Sequence, residues 1–127
     1  MSEKTVAQKL GLKAGMALLV RQPPDGVAAL VGALPSGAEL IFDANEPCAL
    51  VLMFARDKAA LAKGLPECKR QLAPGGALWV AYVKGTSALK TDINRDSIRE
   101  YVATVGLDTV AQIAIDDDWS ALRLKAV

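Results

Sequence analysis

The sequence predicts a three-layer α/β domain whose mixed, mostly parallel sheet of about six strands ends in an antiparallel hairpin. Three observations predict it. The two most apolar runs, Ala49–Ala55 and Ala77–Val83, do not alternate with polar residues, which suits strands covered on both faces in the middle of a parallel sheet. Between them Leu61, Leu65, Cys68 and Leu72 recur at helical spacing, making one sheet-facing stripe on a crossover helix. Near the end, two apolar segments are separated only by Asp116-Asp117-Asp118, and so short a link implies an antiparallel hairpin.

The elements follow in order. Thr5–Leu10 reads as a short helix with Thr5 at its N-cap, Val6 and Leu10 on one face and Gly11 as its stop. Leu12–Met16 turns the chain into a first strand, Ala17–Val20, and after Arg21 the sequence Pro23-Pro24-Asp25-Gly26 ends it. Val27–Val31 is a helical piece closed by Gly32 and the turn Leu34-Pro35-Ser36-Gly37. Glu39–Asp43 reads as a second strand, with only Ala44, Asn45, Glu46 and Pro47 before Cys48. A crossover between parallel strands usually takes a dozen residues or more, so this strand is either antiparallel or very short with an extended return.

Asp57, after Arg56, is a good N-cap for the crossover helix. Gly64 and Pro66 interrupt its stripe. Pro66 has no amide to donate, which predicts a kink or two short helices, with Pro66 in the first turn of the second. Ala73-Pro74-Gly75-Gly76 stops the helix and feeds the strand Ala77–Val83. A polar loop from Gly85 to Asp92 leads to a helix over Arg95–Val105, buried through Ile98, Tyr101, Val102 and Val105, capped by Asn94 or Asp96 and ended by Gly106. The closing strands are Thr109–Ile115 and Trp119–Lys125. In the last, Leu122 and Leu124 share one face, and Trp119, Arg123 and Lys125 the other.

At 127 residues the chain fits one domain, 1–127, which buries roughly two-thirds of its unfolded surface without staples. Fifteen basic residues against fourteen acidic ones give a net charge of +1, so no global field draws it to nucleic acid or anionic lipid. The opening MSEKTVAQKLGLK has no apolar stretch of signal-peptide length, and no run approaches the ~20 apolar residues of a membrane span. The expectation is a cytoplasmic protein. Cys48 and Cys68 have no CxxC context and no histidine to complete a metal set, so both read as small core residues.

The order of several motifs carries a resemblance. Leu10-Gly11-Leu12-Lys13-Ala14-Gly15-Met16 before the first strand, Leu72-Ala73-Pro74-Gly75-Gly76-Ala77-Leu78-Trp79-Val80 before a central strand, and the closing hairpin resemble a trimmed class I S-adenosylmethionine-dependent methyltransferase. Leu12–Met16, Phe54-Ala55-Arg56, the proline-glycine turn and Asp118-Trp119-Ser120-Ala121-Leu122 are similar over nearly the whole chain to a family of small bacterial proteins known only as a domain of unknown function. The resemblance implies a reduced Rossmann-like methyltransferase fold. In the methyltransferases the first strand runs into a glycine-rich turn where bare backbone approaches the cofactor. Here Arg21-Gln22-Pro23-Pro24-Asp25-Gly26 stands in that place, and the region of the usual third strand and its helix is missing. Asp43 stands where an acidic residue would grip a ribose. The departures imply the fold without the cofactor, and no cofactor is expected.

In open α/β sheets ligands settle beyond the carboxyl ends of the strands, near the switch in strand order. Arg21, Arg56 and Lys84 leave the presumed central strands at those ends. On neighbouring strands ~4.8 Å apart, the three cations would converge on a small anion, joined by the Thr86 and Ser87 hydroxyls and the first amides of the crossover helix. The competing reading is solvated strand ends, with Arg56 paired to Asp57 or to the 43–46 loop. Asp116-Asp117-Asp118 reads as a solvated turn rather than a metal site. Trp79 and Tyr82 fall on opposite faces of one strand and read as core, whereas Trp119, beside Arg123 and Lys125, reads as partly exposed and open to self-association. Ser87 and Ser120 have no histidine to activate them and neither cysteine has an evident base, so no catalytic residue is assigned. The expectation is a non-catalytic binding or accessory protein for a small anionic ligand or acidic partner. A methyltransferase with an atypical cofactor site and a homo-oligomeric interaction module are the alternatives.

Overall fold

The computed structural model describes residues 5–85 and 91–126. Six strands, β1 (Ala17–Arg21), β2 (Glu39–Ile41), β3 (Cys48–Ala55), β4 (Leu72–Val83), β5 (Leu107–Ala114) and β6 (Trp119–Ala126), form one sheet in the order β2-β1-β3-β4-β6-β5. The first four are parallel, and β6 runs antiparallel to both β4 and β5. The helices are α1 (Val6–Lys9), α2 (Val27–Val31), α3 (Lys58–Gln71) and α4 (Arg95–Thr104). The mixed α/β sheet with its closing hairpin is the architecture expected from the apolar runs.

Of the two alternatives for the second strand, the short parallel one holds. β2 pairs only Glu39, Leu40 and Ile41 with Ala17, Leu18 and Leu19. With the strand ending at Ile41, residues 42–47 return to β3, and six extended residues reach about 20 Å. That is enough to pass β1 and drop back three residues.

Both faces of the sheet are buried, which is why its central strands do not alternate. One face carries Leu19, Val51, Met53, Leu78, Val80, Tyr82, Leu122 and Leu124 against Leu61, Leu65 and Cys68 of α3 and Ile98 and Val102 of α4. The other carries Leu18, Val20, Leu50, Leu52, Phe54, Trp79 and Trp119 against Ala7, Leu10 and Leu12 and Val27 and Val31 of α2. Trp79 and Tyr82 thus face opposite cores. The Trp79 indole donates to the Leu10 carbonyl at 3.0 Å in the buried interior, so the short α1 segment is held by a polar bond as well as by packing.

Local chemistry explains most of the boundaries. Thr5 and Gln8 form a reciprocal capping box on α1, and Asn94 and Ser97 do the same on α4. Asp57 caps α3 through Ala60 N at 2.8 Å. Two expectations need correction. α3 is one helix through Pro66 and not two short ones, because Pro66 and Ala62, whose carbonyl loses its intrahelical donor, both lie on the exposed side, where water can serve that oxygen. The stretch Leu72–Gly76 is not a stop before β4 but its beginning. It forms an irregularity in which Cys48 pairs Leu72 while Leu50 already pairs Ala77. A Cβ on Gly76 would sit 2.8 Å from the Ala49 carbonyl, so the backbones can approach there only through glycine.

Candidate functional site

The exit of β1 is pinned. Arg21 Nη2 donates to Glu67 Oε1 of α3 at 2.7 Å, Nη1 donates to the Phe42 carbonyl at 3.3 Å, and Asp43 Oδ1 lies 4.0 Å away. Gln22 takes a left-handed backbone (φ 54°), the one non-glycine residue to do so among the described residues. Its side-chain amide donates to the Ala60 carbonyl of α3 at 3.1 Å. Gly64 makes room for that amide: a Cβ there would collide with Gln22 Nε2 and come within 2.8 Å of Met53 Sδ. The side chains at the β1 bend therefore reach across to the crossover helix.

Next to this bend a cleft of about 430 Å³ is lined by Gln22, Pro23, Pro24, Asp25, Phe54, Arg56 and Trp119. It opens outside the carboxyl ends of β1 and β3, adjacent strands at which the order switches direction. Its apolar wall is Phe54 and Trp119, edge to face at 82° with centroids 5.1 Å apart. Trp119 is only 6% exposed, which corrects the expectation of a partly exposed ring. The intervening Ala81 and Ala121 on the same face leave space for two aromatic rings, and neither side chain could be larger without filling it. Arg56 is exposed, and among the described residues no carboxylate pairs with it.

The three expected cations do not share one volume. Arg21 is committed to Glu67 and the 42–43 backbone and loop, and Arg56 lines the cleft just described. Lys84 lines a separate cavity of about 510 Å³ with Tyr82, Gly85, Asn94, Arg95, Asp96, Gln112 and Ser120. Since Tyr82 packs into one core and Phe54 into the other, the two cavities lie on opposite faces of the sheet. Thr86 and Ser87 lie outside the described residues. Two of the first amides of α3 are already taken, Lys58 N by Asp92 Oδ1 at 2.6 Å and Ala60 N by Asp57 Oδ1 at 2.8 Å. Asp43 is 89% exposed at its side chain. Local pairing of a strand-end arginine with the 43–46 loop does occur, but at Arg21 rather than Arg56.

The polar string around Tyr82 is what sequence reasoning missed. Arg95 Nη1 donates to Gln112 Oε1 at 3.3 Å, and Gln112 Nε2 donates to Tyr82 Oη at 3.1 Å. Burial pushes the Tyr82 phenol above its ordinary pKa, with Arg95 acting the other way and Ser120 hydrogen-bonded to it. Residues 82, 95 and 112 sit on a central strand, a helix and an edge strand, so no spacing could reveal them. Among the residues that line the two cavities there is no cysteine, and the one serine, Ser120, is buried. Cys68 is fully buried, and loss of hydration pushes its thiol up to about 11. In the 116–118 turn, Asp116 Oδ1 accepts from the amides of Asp118 and Trp119, both at 2.8 Å. Among the described residues no three metal-type side chains cluster, and no helix is long and apolar enough to cross a membrane.

Comparison with solved structures places the fold. A DhpI complex with SAH matches with a TM-score of 0.64 at 9% identity, covering 96% of this chain and 82% of that one. An rRNA methylase from Streptococcus thermophilus matches with a TM-score of 0.57 at 13% identity, covering 100% and 99%. A SAM-dependent methyltransferase from Thiobacillus denitrificans, in complex with S-adenosyl-L-homocysteine, matches at 0.56 and 12% identity, covering 100% and 92%. At such identities the likeness is one of fold, a methyltransferase-like α/β sheet with a C-terminal antiparallel hairpin. No curated protein matches the sequence. A family model described as "Protein of unknown function (DUF3052)" matches residues 26–127, and over most of its length the chain therefore belongs to that family.

Proposed function

We propose that this protein is a non-catalytic binding or accessory protein on a methyltransferase-like scaffold. Its cleft at the β1 and β3 ends takes a small anionic ligand, or an acidic side chain of a partner, through Arg56. The observation that carries the reading is the pinned bend. Arg21 and Gln22 span from β1 to α3 and to the Phe42 carbonyl, which ties the bend to the crossover helix, and the turn that follows carries Pro23 and Pro24 where close approach of a nucleoside cofactor calls for glycine. The cleft that remains offers one guanidinium without a carboxylate partner among the described residues, an aromatic wall and the carboxylate of Asp25, an arrangement suited to a small polar ligand with an anionic end.

A second reading, an S-adenosylmethionine-dependent methyltransferase with an atypical cofactor site, draws support from the cleft's place at the strand-order switch and from solved neighbours that hold SAH. Melting and calorimetric titrations with phosphate, succinate, S-adenosylmethionine and S-adenosylhomocysteine separate the two. The first reading expects saturable stabilisation by phosphate or succinate that weakens in Arg56→Ala, and no saturable binding of either adenosyl compound. Saturable binding of S-adenosylhomocysteine overturns it in favour of the enzyme.

A further inference from the structure

We propose that the cavity on the α3 and α4 face, outside the carboxyl end of β4, is a second and separate oxyanion site in which Lys84, Arg95 and the Tyr82 hydroxyl hold a phosphate or carboxylate group. Three features on that face point to it. First, two cations border one cavity of about 510 Å³, and among the described residues no carboxylate lies within ion-pair distance of either. Asp96 also borders the cavity, so the lining carries two positive charges against one negative and stays net cationic.

Second, Arg95 is oriented. Gln112 engages one of its five N–H groups, at 3.3 Å, and among the described residues no carboxylate takes the others, which can meet a planar oxyanion. Gln112 is fixed in turn by Tyr82 Oη at 3.1 Å, so its amide is committed at both ends and points the guanidinium rather than competing for the ligand. Third, Tyr82 is 5% exposed with its hydroxyl at the cavity wall. Its oxygen accepts from Gln112 and Ser120 is hydrogen-bonded to it as well; a phenol is protonated at neutral pH even at its ordinary pKa, and that single proton is what the hydroxyl offers to the ligand. Two cations and a neutral donor around one space are the complement of an oxyanion.

The site shares no lining residue with the Arg56 cleft, and the test uses that. In the Arg56→Ala protein, inorganic phosphate at constant ionic strength is expected to raise the melting temperature saturably. Adding Lys84→Met and Arg95→Met on that background is expected to weaken the apparent affinity about tenfold or more, and Tyr82→Phe several-fold. Lys84→Met alone, a change at a strand end that leaves the Arg95–Gln112–Tyr82 string intact, carries the same direction if the combined variant does not fold. A parallel titration with acetate distinguishes the two sources: a response to phosphate alone assigns a phosphoryl ligand, and a response to both assigns carboxylates as well. Absence of any phosphate or acetate response in Arg56→Ala, or a response that survives Lys84→Met with Arg95→Met, overturns this inference. Neither result touches the Arg56 reading, which fails separately if Arg56→Ala binds anions as the parent does or if S-adenosylhomocysteine binds saturably.

Discussion

Gln22 and Gly64 illustrate how a bend can be decided by two residues far apart in the chain. The Gln22 amide bonds to the Ala60 carbonyl only because Gly64 presents no Cβ. Gly64→Ala should gain up to about 1 kcal/mol of helix propensity and lose more than that through displacement of Gln22 and crowding of Met53, for a net destabilisation of roughly 1–2 kcal/mol. In Gln22→Ala the same substitution should be close to neutral, so a denaturant double-mutant cycle is expected to show coupling of about 1 kcal/mol. Cys68 gives a second residue-level expectation. With its thiol at about 11 against an ordinary 9.0, roughly one molecule in a hundred carries the thiolate at pH 9. Iodoacetamide should label Cys48 in the native protein and Cys68 only after unfolding. A raised thiol pKa means that the folded state holds the proton more tightly, so this contribution to stability is complete below pH 9 and is lost as pH rises toward 11.

The first two helices are short, and each depends on something outside itself. α1 has four residues and α2 five, too few to stand alone in water. α1 is held by its capping box, by burial of Ala7 and by the Trp79 indole on the Leu10 carbonyl. Trp79→Phe removes that donor and opens a gap, and should cost about 2–4 kcal/mol by chemical denaturation. α4 has ten residues with a reciprocal Asn94–Ser97 cap, and Asn94→Ala should cost about 1 kcal/mol. For the α4 cap the sequence allows Asn94 or Asp96 and the structure selects Asn94. The Thr5 and Asp57 caps and the spacing of Ile98 and Val102 were legible because they depend on residues three or four apart. The continuity of α3 through Pro66 and the early start of β4 were not, since each turns on which side faces solvent or on how closely a neighbouring strand approaches.

The whole molecule is two cores sharing one sheet. Leu50 and Leu52 face one core while Val51 and Met53 face the other, so neither core can open without exposing the central strands. Unfolding should be a single transition. Indole fluorescence, which reports the face carrying Trp79 and Trp119, and far-UV circular dichroism are expected to give coincident denaturation curves. The same two-sidedness separates Arg56 from Lys84. Cations that leave neighbouring strands at the same edge look equivalent in the sequence, yet with Ala55 paired to Tyr82, Lys84 lies one residue beyond the position level with Arg56, and the pleat sends the two to different faces.

The sequence by itself determined the class and order of the elements, the parallel centre, the closing hairpin, the caps of α1 and α3 and the missing glycine turn. Each of these follows from runs, periods and backbone chemistry within a few residues. Tertiary structure alone decided that β2 is parallel, that Trp119 is buried against Phe54, that Arg21 is tied to Glu67, and that Tyr82, Arg95 and Gln112 meet. These are contacts between segments brought together only by packing, and for them separation along the chain carries no information.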